Sequence, residues 1–140
     1  MTALNNENVL VVIPALNEQE TITSVVQDVV RLGLRVLVVD DGSSDQTSNL
    51  AQSAGAKVIE LSMNLGVGGA LQSGFNYAIR HSFDAVVQID ADGQHPVNEI
   101  FNLIDKANQS GADVVLGSQF LTMSSEFNVS RTRQFAMSML

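Results

Sequence analysis

Asp84–Pro96 reads DAVVQIDADGQHP. A short apolar run, Ala85 to Ile89, climbs to Asp90; Ala91, Asp92 and Gly93 follow. The run has the length and composition of a buried strand, so both carboxylates stand where that strand ends. Charge is poor core material unless it is paired or metal-bound. Two carboxylates one residue apart can converge on a divalent cation, and oxygen ligands of this kind suit Mg²⁺ or Mn²⁺. The same residues also suit a plain polar turn. Asp-Gly is common in loops, and either aspartate can cap a following helix. The rest of the chain bears on which reading holds.

Working outward, Val9–Ile13 (VLVVI) is a β-branched run ended by Pro14, the pattern of a fully buried strand. Asn17, Glu18 and Glu20 read as the opening of a helix whose apolar positions are Ile22, Val25, Val26, Val29 and Val30. Gly33 suits its C-terminal cap. Val36–Val39 predicts a second strand running into Asp40-Asp41-Gly42-Ser43-Ser44-Asp45. A short helix with Leu50, Ala51 and Ala54 inward stops at Gly55. Lys57–Leu61 predicts a third strand, followed by a glycine-rich loop, Asn64-Leu65-Gly66-Val67-Gly68-Gly69. The next helix places Leu71, Phe75, Ala78 and Ile79 on one face. Pro96 fits the first turn of a further helix, with Val97, Ile100, Phe101, Ile104 and Ala107 at core spacing and Gly111 at its end. Asp113–Gly117 (DVVLG) predicts a fifth strand.

Five strands alternating with four helices predict an α/β domain with a mostly parallel sheet and right-handed crossovers. Open parallel sheets bind ligands at the carboxyl ends of their strands. The polar oddities fall there: Asn17 and Glu18 after strand one, Asp40 and Asp41 after strand two, Asn64 after strand three, Asp90 and Asp92 after strand four. One acidic turn would be bland. Several on one rim point to a polar, metal-dependent site.

The 140 residues make one domain, large enough for a sizeable core. A net charge of −8 disfavours nonspecific nucleic-acid binding. There is no cysteine, so no disulfide framework and no thiolate metal site. MTALNNENVL has neither the basic start nor the apolar stretch of a signal peptide, and no run reaches membrane-helix length. A soluble cytoplasmic protein is the expectation. Gly66 and Gly68 begin a G-x-G-x-x-G pattern, but position 71 is Leu, and no acidic residue follows at the distance a dinucleotide site needs. No G-K-[ST] is present, which excludes a P-loop. His81 reads as a surface residue. His95, just past the acidic turn, reads as a metal or substrate contact or as a turn residue. Ser43, Ser44 and Thr47 have no nearby histidine to activate them and read as turn and cap residues.

Four motifs in order, Leu10–Glu18 (LVVIPALNE), Val38–Asp45 (VVDDGSSD), Asn64–Gly74 (NLGVGGALQSG) and Val87–Pro96 (VQIDADGQHP), resemble family 2 glycosyltransferases of the GT-A fold, a Rossmann-like sheet with helices on both faces. The dolichyl- or polyprenyl-phosphate mannose and glucose synthase branch is most similar. The resemblance covers about residues 8–121 and is specific to the family, not to the sugar. It implies an inverting transfer of a hexose from a UDP- or GDP-sugar by direct displacement. A polyprenyl phosphate is the implied acceptor, with other glycan or lipid acceptors open. Pro14, Ala15, Asn17, Glu18, Asn64, Gly68 and Ala91 would border the nucleotide, and Asp41 would accept from the uracil or guanine ring. Asp90 and Asp92 look like the D-x-D pair that holds Mg²⁺ or Mn²⁺ on the donor diphosphate, with Gln94 beside it. Peripheral membrane association at the inner face of the cell membrane, and a homo-oligomer, are both compatible with it.

Two departures matter. The synthase branch has G-S-R after strand five, whereas Gly117-Ser118-Gln119 stands here. A cation expected near the phosphates is missing, and Arg131 and Arg133 are the candidates to replace it. The chain also ends at Leu140 inside a helical pattern (Phe135, Met139) without a stop signal. The expectation is a C-terminally truncated piece of a longer protein, free to carry membrane segments downstream, whose residues 122–140 begin the acceptor side. Such a piece is expected to bind donor without transferring sugar, and no catalytic base is identifiable in it. Two rival readings remain. One is a noncatalytic nucleotide-binding or regulatory module, favoured by Gln119. The other is a sugar-nucleotide nucleotidyltransferase, disfavoured because no basic glycine-rich loop follows strand one.

Overall fold

A computed structural model describes residues 2–117. The elements run β1 (Val9–Ala15), α1 (Ile22–Arg31), β2 (Arg35–Asp40), α2 (Thr47–Ser53), β3 (Lys57–Glu60), α3 (Gly66–Arg80), β4 (Ala85–Gln88) and α4 (Glu99–Ser110). The four strands form one sheet in the order β3-β2-β1-β4, and every pair is parallel. The carboxyl ends of all four strands therefore open on one rim.

β1 is central and buried on both faces, which is why its sequence is continuously apolar instead of alternating. Val9, Val11, Ile13 and Ala15 pack against α1, α2 and α4, together with Ile22, Val26, Ala51 and Ile100. Leu10 and Val12 face the other way, onto α3, with Leu37, Val39, Ala70 and Ala78. Pro14 lies inside the strand, one position beyond the predicted end. The Val12 carbonyl accepts from the Ile89 N–H, and the Ala15 carbonyl accepts from the Asp41 N–H. Backbone groups alternate sides along a strand, so Pro14 shares the β4 side with Val12. The last register pair on that side is Val12 with Gln88. The missing N–H of Pro14 thus breaks no ladder bond.

Several expectations need correction. α1 begins at Ile22, so Asn17, Glu18 and Glu20 lie in the preceding turn. Asn17 adopts φ 54°, which no residue of an α-helix can have. The glycine-rich segment is not a free loop. Gly66 enters at φ 82°, and Val67, Gly68 and Gly69 form the first turn of α3. β4 ends at Gln88. Asp113–Gly117 forms no strand among the described residues, and Val114 and Leu116 are exposed. An apolar run expresses a preference for burial, but a strand also needs a paired edge, and here the run does not meet β4. Gln119, Arg131, Arg133, Phe135 and Met139 lie outside the described residues.

The buried face of α3 is the predicted one only in part: Ala78 is buried and Leu71 packs against the core as expected. Phe75 and Ile79 are exposed, and the residues turned inward are Ala70, Gly74 and Ala78. Small residues at i, i+4, i+8 let the helix axis lie close to the sheet. A Cβ on Gly74 would come within 2.5 Å of Val12 Cγ1, and Val12 is fully buried with nowhere to move. Gly74→Val is expected to lower stability by about 1–3 kcal/mol, the usual cost of overpacking. The readout is a lower urea midpoint at unchanged slope; an unchanged midpoint would show that α3 can ride outward freely.

Candidate functional site

The rim is built from the loops after β1, β2, β3 and β4, and side chains tie these loops to one another. Asn17 is the first tie. Its N–H donates to Ser43 Oγ at 2.9 Å, and its side-chain oxygen accepts from the Ser44 N–H at 2.9 Å. Its left-handed backbone is a conformation Asn tolerates better than most residues. Thr47 is the second tie. It is fully buried; its hydroxyl donates to Asp45 Oδ1 at 2.5 Å and accepts from the Glu18 N–H at 2.8 Å. Asp45 also accepts from the backbone N–H groups of Thr47 and Gln19.

These donors hold the Asp45 carboxyl below its ordinary value, with the Thr47 hydroxyl as the largest cause and desolvation opposing it. A depressed carboxyl stabilises the fold above its unfolded pKa of about 3.9, and that contribution is lost as pH falls through the folded value. Asp45→Asn is therefore expected to flatten the acid side of the stability curve below about pH 4, read as urea midpoint against pH. An acid limb as steep as that of wild type would remove Asp45 from the account.

Asp41 is buried at 4% exposure. Its Oδ1 accepts from the Leu65 N–H at 2.7 Å and its Oδ2 from the Gly66 N–H at 2.9 Å. Asn64 Oδ1 also accepts from the Gly66 N–H at 2.9 Å. The second β2 carboxylate thus fixes the entry of α3. Gly42 permits this approach: at φ 80°, a Cβ on it would lie 3.1 Å from the Asn64 nitrogen. Asp40, also buried, closes its own turn by accepting from the Ser43 N–H at 2.9 Å.

The acidic turn after β4 has a different construction. Ala91 is buried in the core cluster that also holds residues of β1, α1 and α4, while Asp90 is about half exposed and Asp92 exposed. The middle residue anchors the turn and leaves an accessible carboxylate on either side. Asp92 Oδ1 accepts from the Gln94 N–H at 2.9 Å, and Gly93 supplies φ 75°. His95 Nδ1 lies 3.7 Å from Asp90 Oδ2, so His95 does sit at the turn. Among the described residues no group of three or more His, Cys, Asp or Glu side chains forms a metal cluster. Two accessible hard carboxylates fit Mg²⁺ or Mn²⁺ only where other oxygens complete the shell.

The structure thus brings Pro14, Ala15, Asn17, Glu18, Asp41, Asn64, Ala91, Asp90, Asp92 and Gln94 to one rim. Gly68 lies nearby in the exposed first turn of α3, where a Cβ would meet open space. Sequence reasoning missed the roles of Thr47, Asp45, Ser43 and Thr21. Each is a short polar residue that suits a turn or cap, and nothing in its local pattern names a partner far along the chain.

An open parallel sheet with an oxygen-rich carboxyl rim defines the class of α/β proteins that take ligands at their strand ends. The chain belongs to glycosyl transferase family 2, whose model matches residues 10–140. It is 34% identical over 128 residues to a polyprenol monophosphomannose synthase of Mycolicibacterium smegmatis, covering 86% of this chain and 48% of that protein. It is 36% identical over 119 residues to an undecaprenyl-phosphate 4-deoxy-4-formamido-L-arabinose transferase of Edwardsiella ictaluri, covering 76% of this chain and 35% of that one. The chain thus spans half or less of these relatives' lengths. Among solved structures, it is similar to glucosyl-3-phosphoglycerate synthase of Mycobacterium tuberculosis in complex with Mn²⁺, UDP and glucosyl-3-phosphoglycerate. The TM-score is 0.63 at 31% identity, covering 72% of this chain and 39% of that one. The GT-A fold expected from the motifs is the fold found. Among the described residues no helix is long and apolar enough to cross a membrane.

Proposed function

We propose that this chain is the donor-binding part of an inverting glycosyltransferase that moves a hexose from a UDP- or GDP-sugar to a polyprenyl phosphate at the inner face of the cell membrane. The observation that carries the reading is the shared rim, where the Asp90–Asp92 turn, the Asn17 loop and Asp41 meet at the carboxyl ends of parallel strands. In this reading Asp90 and Asp92 hold Mg²⁺ or Mn²⁺, and the donor diphosphate and water complete its shell. The bound cation supplies charge that offsets the departing nucleoside diphosphate. Pro14, Ala15, Asn17, Glu18, Asn64, Gly68 and Ala91 line the nucleotide, and Gln94 serves the donor phosphates; Arg131 and Arg133 are assigned to the phosphates on the sequence alone. Asp41 has one lone pair in use on each oxygen and keeps others for a ring N–H. The relatives named for polyprenol and undecaprenyl-phosphate chemistry support the acceptor, and the neighbour crystallised with Mn²⁺ and UDP supports the donor and metal.

A second reading, a noncatalytic nucleotide-sugar-binding module, is favoured by Gln119 where the branch has arginine. The test is calorimetric titration with UDP, GDP and their sugars, with and without Mn²⁺, alongside transfer of radiolabelled sugar to a short polyprenyl phosphate. Metal-dependent binding of a nucleotide is the expected result. Absence of binding to every nucleotide would overturn the donor reading, and binding by a full-length protein that never transfers would favour the module.

A further inference from the structure

We propose that Thr21 is a positioning residue that holds the Asp90–Asp92 turn in shape through the Ala91 carbonyl. This rests on the metal role given above to that turn. Thr21 occupies the N-cap of α1, yet its side chain makes no capping hydrogen bond. Its hydroxyl instead donates to the Ala91 carbonyl at 2.7 Å, across 70 residues of sequence. A hydroxyl carries one proton, and the other acceptors in reach are longer contacts, Glu18 Oε2 at 3.3 Å and the Glu18 carbonyl at 3.4 Å. The Glu18 carbonyl is already served by the N–H groups of Thr21 and Ile22.

The consequence lies in what the Ala91 carbonyl controls. That carbonyl belongs to the peptide plane joining Ala91 to Asp92, and a planar peptide moves as one unit. The Ala91 side chain is buried in the core cluster that also holds residues of β1, α1 and α4, so packing holds the side chain while Thr21 holds the carbonyl. Asp90 and Asp92 hang from either end of this clamped residue. The Asp92 carboxylate then closes the turn on the Gln94 N–H. Releasing the Ala91 carbonyl frees the plane to rotate, and the two carboxylates lose their common aim. Glu18 and Thr21 belong to one loop, whose other ties run to Ser43, Ser44 and Thr47. The latch therefore fastens the acidic turn to the rest of the rim.

The test compares Thr21→Val, which keeps the shape without the donor, with Thr21→Ser, which keeps the donor; Thr21→Ala replaces the valine variant if that one does not fold. UDP and GDP affinity with Mn²⁺ is expected to fall about five- to tenfold in Thr21→Val, the effect of one neutral hydrogen bond. Uridine and guanosine affinity without metal is expected to stay at the wild-type value, and Thr21→Ser is expected to behave as wild type. Without any ligand, amide exchange at Gly93 and Gln94 is expected to accelerate in the valine variant and not in the serine variant. Wild-type exchange in Thr21→Val, or equal losses with and without metal, would overturn the proposal. If wild type binds no nucleotide with Mn²⁺, the metal reading fails, and the exchange measurement still decides the role of Thr21.

Discussion

Asp92→Asn, and separately Asp90→Asn, is expected to abolish the Mn²⁺-dependent part of nucleoside-diphosphate binding while leaving the urea midpoint unchanged. Both side chains are accessible and neither is built into the core, because Ala91 between them takes the buried position. Asparagine keeps a carbonyl oxygen, so the contact from Asp92 to the Gln94 N–H survives the change. The Asp90 pair with His95, at 3.7 Å and about half exposed, is of the kind worth about 0–1 kcal/mol. Stability therefore has little to lose. Cation binding has much more, since each substitution removes a full negative charge from a site that supplies only two. Calorimetry with Mn²⁺ and UDP or GDP reads the first effect and urea unfolding the second. Titrations unchanged in both variants would take the metal away from this turn.

Asp41→Ala is expected to reduce nucleotide affinity equally with and without Mn²⁺, and to cost stability as well. The carboxylate is buried and binds two backbone N–H groups at the entry of α3. Hydrogen bonds to charged groups contribute about 1.5–3 kcal/mol each. The Gly66 N–H retains Asn64 as an acceptor, so the Leu65 N–H is the group that loses its protein acceptor, and because Leu65 is exposed, water replaces part of that bond. The α3 entry should loosen and carry Asn64 and Gly68 with it. A loss of affinity seen only with Mn²⁺ would move Asp41 into the metal site, and an unchanged urea midpoint would contradict its structural role.

Much of this was legible in the sequence, because apolar periodicity and punctuation are local signals. VLVVI, VLVV and AVV are strands wherever they fall in a buried parallel sheet, and Gly33, Gly55 and Gly111 stop helices by adopting φ of 74°, 110° and 62°. The alternation of strand and helix then puts Asn17, Asp41, Asn64 and Asp90 on one rim without any knowledge of strand order. The acidic turn was legible for the same reason: charge at the end of an apolar run has to be accounted for. The misplaced start of α1 and the partly misread face of α3 share another cause. Polar residues before an apolar run look like a helix cap, and bulky residues at helical spacing look like a core face. Here the cap residues serve loop contacts, and the inward face is the small one.

The sequence by itself determined the elements, their parallel arrangement and the rim on which the carboxylates lie. Only the tertiary structure decided the order β3-β2-β1-β4, the burial of Asp41 at the entry of α3 and the identity of the ties between loops. Thr21 meets Ala91 across 70 residues and Thr47 meets Glu18 across 29. A hydroxyl has no periodicity that names its acceptor. Its partner follows from the register of β1 against β2 and β4 and from how closely α1 and α3 pack on them, and that closeness rests on volumes such as the missing Cβ of Gly74 against Val12. Contacts of this kind are set once the whole core has closed, because packing, and not local propensity, fixes distances between loops.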